Sequence, residues 1–120
     1  VRVDLVVVTH PDPEAAERLV SDLVSMRLIA CGHLLPRGTS LFFWDGSLQR
    51  EGEVTLLLKT IPENREPLEK AILREHPYQV PEILFLAADH VTAAYAAWVR
   101  QSCTAGDGSP TGEGGVRGPA

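Results

Sequence analysis

Residues 3–24, "VDLVVVTHPDPEAAERLVSDLV", change their hydrophobic period once, and that change decides the fold. Through Thr9 the segment is β-branched and almost continuously apolar, the pattern of a central strand covered on both faces. Beyond Pro13, the residues Ala16, Leu19, Val20, Leu23 and Val24 recur at helical spacing. Asp12 stands at the N-cap position and Pro13 at the first helical position, while Glu14 and Glu17 lie near the positive end of the helix dipole. A strand therefore leads into a helix with little more than "HPD" between them.

Downstream, "LIACGHLLP" (28–36) reads as a strand, with Gly32 marking a bulge or a place where another backbone comes close. After the turn "PRGTS", "LFFW" (41–44) resumes the extended pattern, and Asp45-Gly46 is a strong hairpin signal. In "EVTLLLKT" (53–60), Val54, Leu56 and Leu58 point one way while Thr55, Leu57 and Lys59 point the other. Together these segments make a long, bent β-hairpin. In "PENREPLEKAILREH" (62–76), Leu68, Ala71, Ile72 and Glu75 share a helical face, Glu66 and Lys70 form an i,i+4 pair, and Pro67 fits the first turn. "EILFLAA" (82–88) is a further strand, and "TAAYAAWVRQS" (92–102) a short helix with Ala94, Ala97 and Trp98 on one side and Tyr95 near its start.

The order β-α-β-β-α-β plus a terminal helix is that of an α+β, ferredoxin-like sandwich, with two helices on one face of an antiparallel sheet. The first strand is apolar on both sides, yet residues 1–103 supply too few helices to cover both faces. Subunit association through the open face is the expected remedy, and it would also protect the hairpin edges. Residues 104–120, "TAGDGSPTGEGGVRGPA", carry no aliphatic side chain larger than Val116 and read as a disordered Gly/Pro-rich tail.

The net charge of −5 is spread along the chain and forms no basic face, which argues against a nucleic-acid partner. The apolar runs "LVVV" and "ILFLAA" are far shorter than the roughly 20 residues of a membrane-spanning helix. The amino-terminal residues lack the zones of a signal peptide, so the cytoplasm is the expected compartment. Cys31 and Cys103 form neither a CxxC pair nor a disulfide framework. The loop "THPDPEA" has no thiolate for a soft-metal chaperone and no glycine or arginine for an anion cradle. Nucleotide-binding glycine signatures and a nucleophile elbow are absent, and His10, His33, His76 and His90 show no zinc spacing.

Five segments together resemble the CutA family, named for divalent-cation tolerance. They are "ACGHLLP" (30–36), "FFWDGSL" (42–48), "EVTLLLKT" (53–60), "HPYQVPEI" (76–83) and "YAAW" (95–98), in family order and spacing. His33 stands where the family usually has Asn, and "DHVTAAY" lacks its usual Gly-Asn. The resemblance implies a tight homotrimer, architecturally similar to the PII signalling proteins, with no established enzymatic activity. It also implies a role in tolerance of or response to divalent metal ions, copper above all, as the bound cation. By type, His76 and Cys31 are the best metal ligands, since imidazole and thiolate both suit copper. Trp44, Lys59, Tyr78, Glu82, Tyr95 and Trp98 are expected either to line a cleft between subunits or to pack the trimer, with Lys59 and Glu82 as a partly buried pair. A PII-like small-molecule sensor is the alternative reading. An enzyme using His76 and Tyr78 as acid and base has no nucleophile or cofactor motif behind it.

Overall fold

Strand β1 (Asp4–His10) buries every second residue, and Asp12 then caps α1 (Pro13–Ser25) by accepting the amide protons of Glu14 and Ala15 at 3.0 and 3.3 Å. The structure is a computed structural model that describes residues 2–104 together with 118 and 119. The chain continues through β2 (Cys31–Leu34), β3 (Gly38–Trp44), β4 (Ser47–Thr60), a 3-10 turn (Pro62–Asn64), α2 (Arg65–Glu75), β5 (Ile83–Ala87) and α3 (Ala93–Thr104). The strands pair antiparallel in the order β2-β4-β1-β5, and β3 pairs with the first half of β4. This is the expected α+β, ferredoxin-like arrangement with an added C-terminal helix. Of the tail expected to be disordered, Thr104 closes α3, and the rest lies outside the described residues apart from 118 and 119.

The long hairpin turns at Asp45 and Gly46, both with positive φ (53° and 83°), between the paired residues Trp44 and Ser47. Such a two-residue turn matches the twist of the flanking strands. The strand expected over 28–36 is interrupted, because β2 ends at Leu34 and Pro36 has no amide to continue the ladder. Beyond that break, β3 and the start of β4 form an arm that projects from the body.

Two cores follow from the burial pattern. Val6, Val8, Leu56 and Leu58 on one sheet face pack against Ala16, Leu19 and Leu23 of α1 and Leu68, Ala71 and Ile72 of α2. Glu75, on the same α2 face by spacing, stays exposed in the last turn, while Glu66 and Lys70 pair at 3.1 Å. A smaller cluster joins Ala96, Val99 and Cys103 of α3 to Val3, Ala30 and Ile61, so Ala94 and Ala97 stay exposed while Trp98 packs at the margin of the buried face. The start of α2 is tied to β1 by Arg65, whose Nε donates to the fully buried Asp4 carboxylate at 2.6 Å.

The other sheet face carries Leu5, Val7 and Thr9 of β1 in register with Lys59, Leu57 and Thr55 of β4. Cys31 and His33 extend these rows on one side, and Leu86 and Leu84 on the other. Leu84 and Leu86 remain 51% and 48% exposed, and the arm exposes Leu41, Phe43, Trp44 and Leu48. Among the described residues, no helix covers the middle of this face.

Gly32 resolves the choice between bulge and close approach. The β2–β4 register is continuous through it, and a Cβ there would meet Val20 Cγ1 at 2.6 Å and Leu58 Cδ2 at 2.9 Å. The close neighbours are side chains of α1 and β4, not another backbone. Gly32→Ala is therefore expected to lower stability by about 1–3 kcal/mol through overpacking. Urea melts at fixed protein concentration measure this, and a Val20→Ala change in the same chain should recover part of the loss.

Candidate functional site

A groove of about 730 Å³ lies between the β3–β4 arm and the connector that joins α2 to β5. The connector is shaped by its own residues. His76 caps α2 in an extended conformation (φ −81°, ψ 135°), as a residue before proline prefers. Its Nδ1 accepts the Tyr78 amide proton at 3.1 Å, and its Nε2–H donates to the Thr9 carbonyl at 2.7 Å. These bonds fix the neutral Nε2–H tautomer and fasten the connector to the end of β1. The Tyr78 ring is 5.0 Å from that of His76 and lines the groove. Burial, then the Glu53 and Glu51 carboxylates, push the Tyr78 hydroxyl up to about 12.

Trp44 and Tyr78 share the groove lining with Asp45, Glu51, Glu53 and Glu82, and among the described residues no lysine or arginine joins them. Glu53 is only 6% exposed. The groove is thus a region of negative potential with aromatic walls, chemistry that attracts cations and repels phosphates and carboxylates.

A second set of expected site residues lies at the opposite end of the sheet. Cys31 is opposite Lys59 in the β2–β4 ladder, and its Sγ is 3.4 Å from the Tyr95 hydroxyl. The Tyr95 ring is 5.7 Å from Trp98. Burial, with Cys31 adding to it, raises the Tyr95 hydroxyl far above the usual phenol range.

The six residues expected in one cleft therefore form two groups within the protomer. Trp44, Tyr78 and Glu82 share the groove, whereas Lys59, Tyr95 and Trp98 stand with Cys31. The expected Lys59–Glu82 pair does not form in the protomer. Lys59 is opposite Leu5, while Glu82 precedes Ile83, which is opposite Val8. Glu82 is thus level with Thr9, an offset of four residues or about 13 Å along the strands, with β1 intervening. The two expected metal ligands are separated in the same way, His76 at the Thr9 end and Cys31 at the Leu5 end. His76 is also revised as a ligand, because both of its ring nitrogens are engaged and no lone pair is left for a metal. Among the described residues, no three His, Cys, Asp or Glu side chains are grouped to hold a metal ion.

Sequence reasoning passed over His10. It is 2% exposed, its Nδ1 accepts the Asp12 amide proton at 3.0 Å, and its ring lies 4.9 Å from that of His76. Burial and then the nearby His76 lower its affinity for a proton below the ordinary imidazole value. The signal was present as a repeated dipeptide. "HPD" and "HPY" each place a proline after the imidazole and an amide two residues on that turns back to it.

Comparisons with known proteins agree with this geometry. The family described as CutA1 divalent ion tolerance protein matches residues 4–102. A Citrobacter koseri relative, "Divalent-cation tolerance protein CutA", is 38% identical over 98 residues, covering 82% of this chain and 85% of its own. The structure of the Thermus thermophilus divalent cation tolerance protein superposes with a TM-score of 0.81 at 33% identity, over 83% of this chain and 97% of that one. An Archaeoglobus fulgidus structure described as periplasmic reaches a TM-score of 0.81 over 84% of this chain and 98% of that one, and at 23% identity it supports the fold alone. With the match running from the first residue of β1 almost to the end of α3, the chain belongs to the CutA1 divalent ion tolerance family.

Proposed function

We propose that this protein acts without catalysis, as a homotrimer, in tolerance of or response to divalent metal ions, copper foremost, and holds the metal weakly at or near the subunit interface. The observation that carries the reading is the family match over residues 4–102. The exposed Leu84 and Leu86 on the open face and the apolar arm support association of copies, since apolar surface of this extent is normally covered. Cys31 is the metal contact in this reading. Its thiol is free, partly exposed and on the open face, where neighbouring copies can add ligands, and thiolate suits copper. Lys59, Tyr95 and Trp98 surround it. Free thiols at Cys31 and Cys103 suit a reducing compartment, which favours the cytoplasm, and no described helix is long and apolar enough to cross a membrane.

The groove favours a second reading, a small-molecule sensor with its site between subunits, because about 730 Å³ is within the range of small-ligand pockets. A metabolite that raises the melting temperature in a dose-dependent way, with no metal added, would support it over the metal reading.

Cys31→Ser is expected to weaken copper retention by the oligomer by at least about tenfold, the lower end of what disturbing even an outer-shell partner costs. Native mass spectrometry with added copper measures this, and unchanged retention removes Cys31 from the proposal. His76→Asn should leave copper retention within error of wild type.

Leu84→Glu, which puts a carboxylate on the open face, should shift the trimer to monomer in light scattering. Leu73→Glu, at an exposed position of α2 on the helix-covered side of the sheet, should leave the mass unchanged.

A further inference from the structure

The pair His10 and His76 stands outside the functional reading above, and its geometry has a consequence of its own. Both imidazoles are buried, at 2% and 8% exposure, with ring centroids 4.9 Å apart. Each accepts a backbone amide proton through Nδ1, His10 from Asp12 at the start of α1 and His76 from Tyr78 in the connector. His76 also donates from Nε2 to the Thr9 carbonyl. A protonated imidazole carries hydrogen on both nitrogens and cannot accept. A proton on either ring therefore breaks the local bond that sets its turn, leaving the Asp12 or the Tyr78 amide without its acceptor, and it places a charge in a buried ring packed against the other imidazole, while the His76 Nε2–H bond to Thr9 persists.

We propose that the His10–His76 pair is an acid-sensitive latch. With both rings neutral it sets the turns at Asp12 and Tyr78, and protonation undoes these turns and parts the packed rings, which loosens the connector beyond His76 and with it the Tyr78 and Glu82 wall of the groove.

The surroundings decide the direction of the response. Asp12 at the start of α1 and Glu53 on β4 favour a proton on His10, while burial and the neighbouring His76 oppose it and prevail. Tyr78 from the connector, next to Glu53 and Glu51, is neutral throughout the relevant range. From the β2–β3 loop, Arg37 donates to the Pro11 carbonyl at 3.4 Å and adds positive charge on the same side. The folded state thus takes up the His10 proton at lower pH than the unfolded chain, whose imidazole titrates near about 6.5. Stability from this group is complete above that value and is lost as pH falls from there through the folded-state value, so it rises with pH across this window.

Hydrogen exchange of the full chain at pH 7.5 and 5.0, corrected for the intrinsic pH dependence of exchange, tests the latch. Protection of residues 76–82 and of the first turn of α1 should fall by about tenfold or more at the lower pH. Central β4, residues 54–60, should keep its protection. In His10→Asn/His76→Asn the amide oxygens can accept the same i+2 amides but cannot be protonated, so the pH difference should vanish. Equal protection at the two pH values, an equal loss throughout β4, or persistence of the loss in the double variant would overturn the proposal. Should that variant not fold, an imidazole titration of the wild type decides. A His10 midpoint below that of the exposed His90 supports the latch, and one at or above it overturns it.

Discussion

Strand β4 is the constraint on which the rest of this structure depends. Its 14 residues pair with β1 and β2 over the second half and with β3 over the first. Because side chains alternate strictly along a strand, this one register sends Val54, Leu56 and Leu58 to the helices and Thr55, Leu57 and Lys59 to the open face. A slip of one residue would exchange the two faces. The same strand carries Glu51 and Glu53 into the groove and Lys59 beside Cys31, so it separates the two chemical regions by its own length.

Those regions differ in character. The groove is acidic and aromatic, and its connector wall is held to the end of β1 by His76. The Cys31 end is a thiol beside an ammonium on an apolar sheet face, with Tyr95 and Trp98 from α3 close by. Within a protomer the two are kept apart by the sheet.

The order of elements was legible because it rests on short-range rules. Asp12 and Pro13 announce α1, Asp45-Gly46 announces the hairpin, and the period of the apolar residues separates strand from helix throughout residues 3–104. Gly32 was flagged because a glycine inside a strand lacks a reason of its own, although only packing could show that Val20 and Leu58 are what crowd it. The face that α3 buries was not legible. Its alanines make two sides of the helix equally plausible in sequence, and the neighbours Val3, Ala30 and Ile61 make the choice.

The sequence by itself determined the topology, the family and the two-faced sheet, since caps, turns and periodicity act between residues only a few positions apart. Tertiary structure alone decided which side chains meet. His10 and His76 come from segments 66 positions apart and become neighbours only because β1 and the end of α2 converge, and their proline-set turns then direct both rings inward. That convergence changed the part His76 plays. By residue type it was a metal ligand, but with both nitrogens bonded to the backbone it is a fastening between the connector and the end of β1.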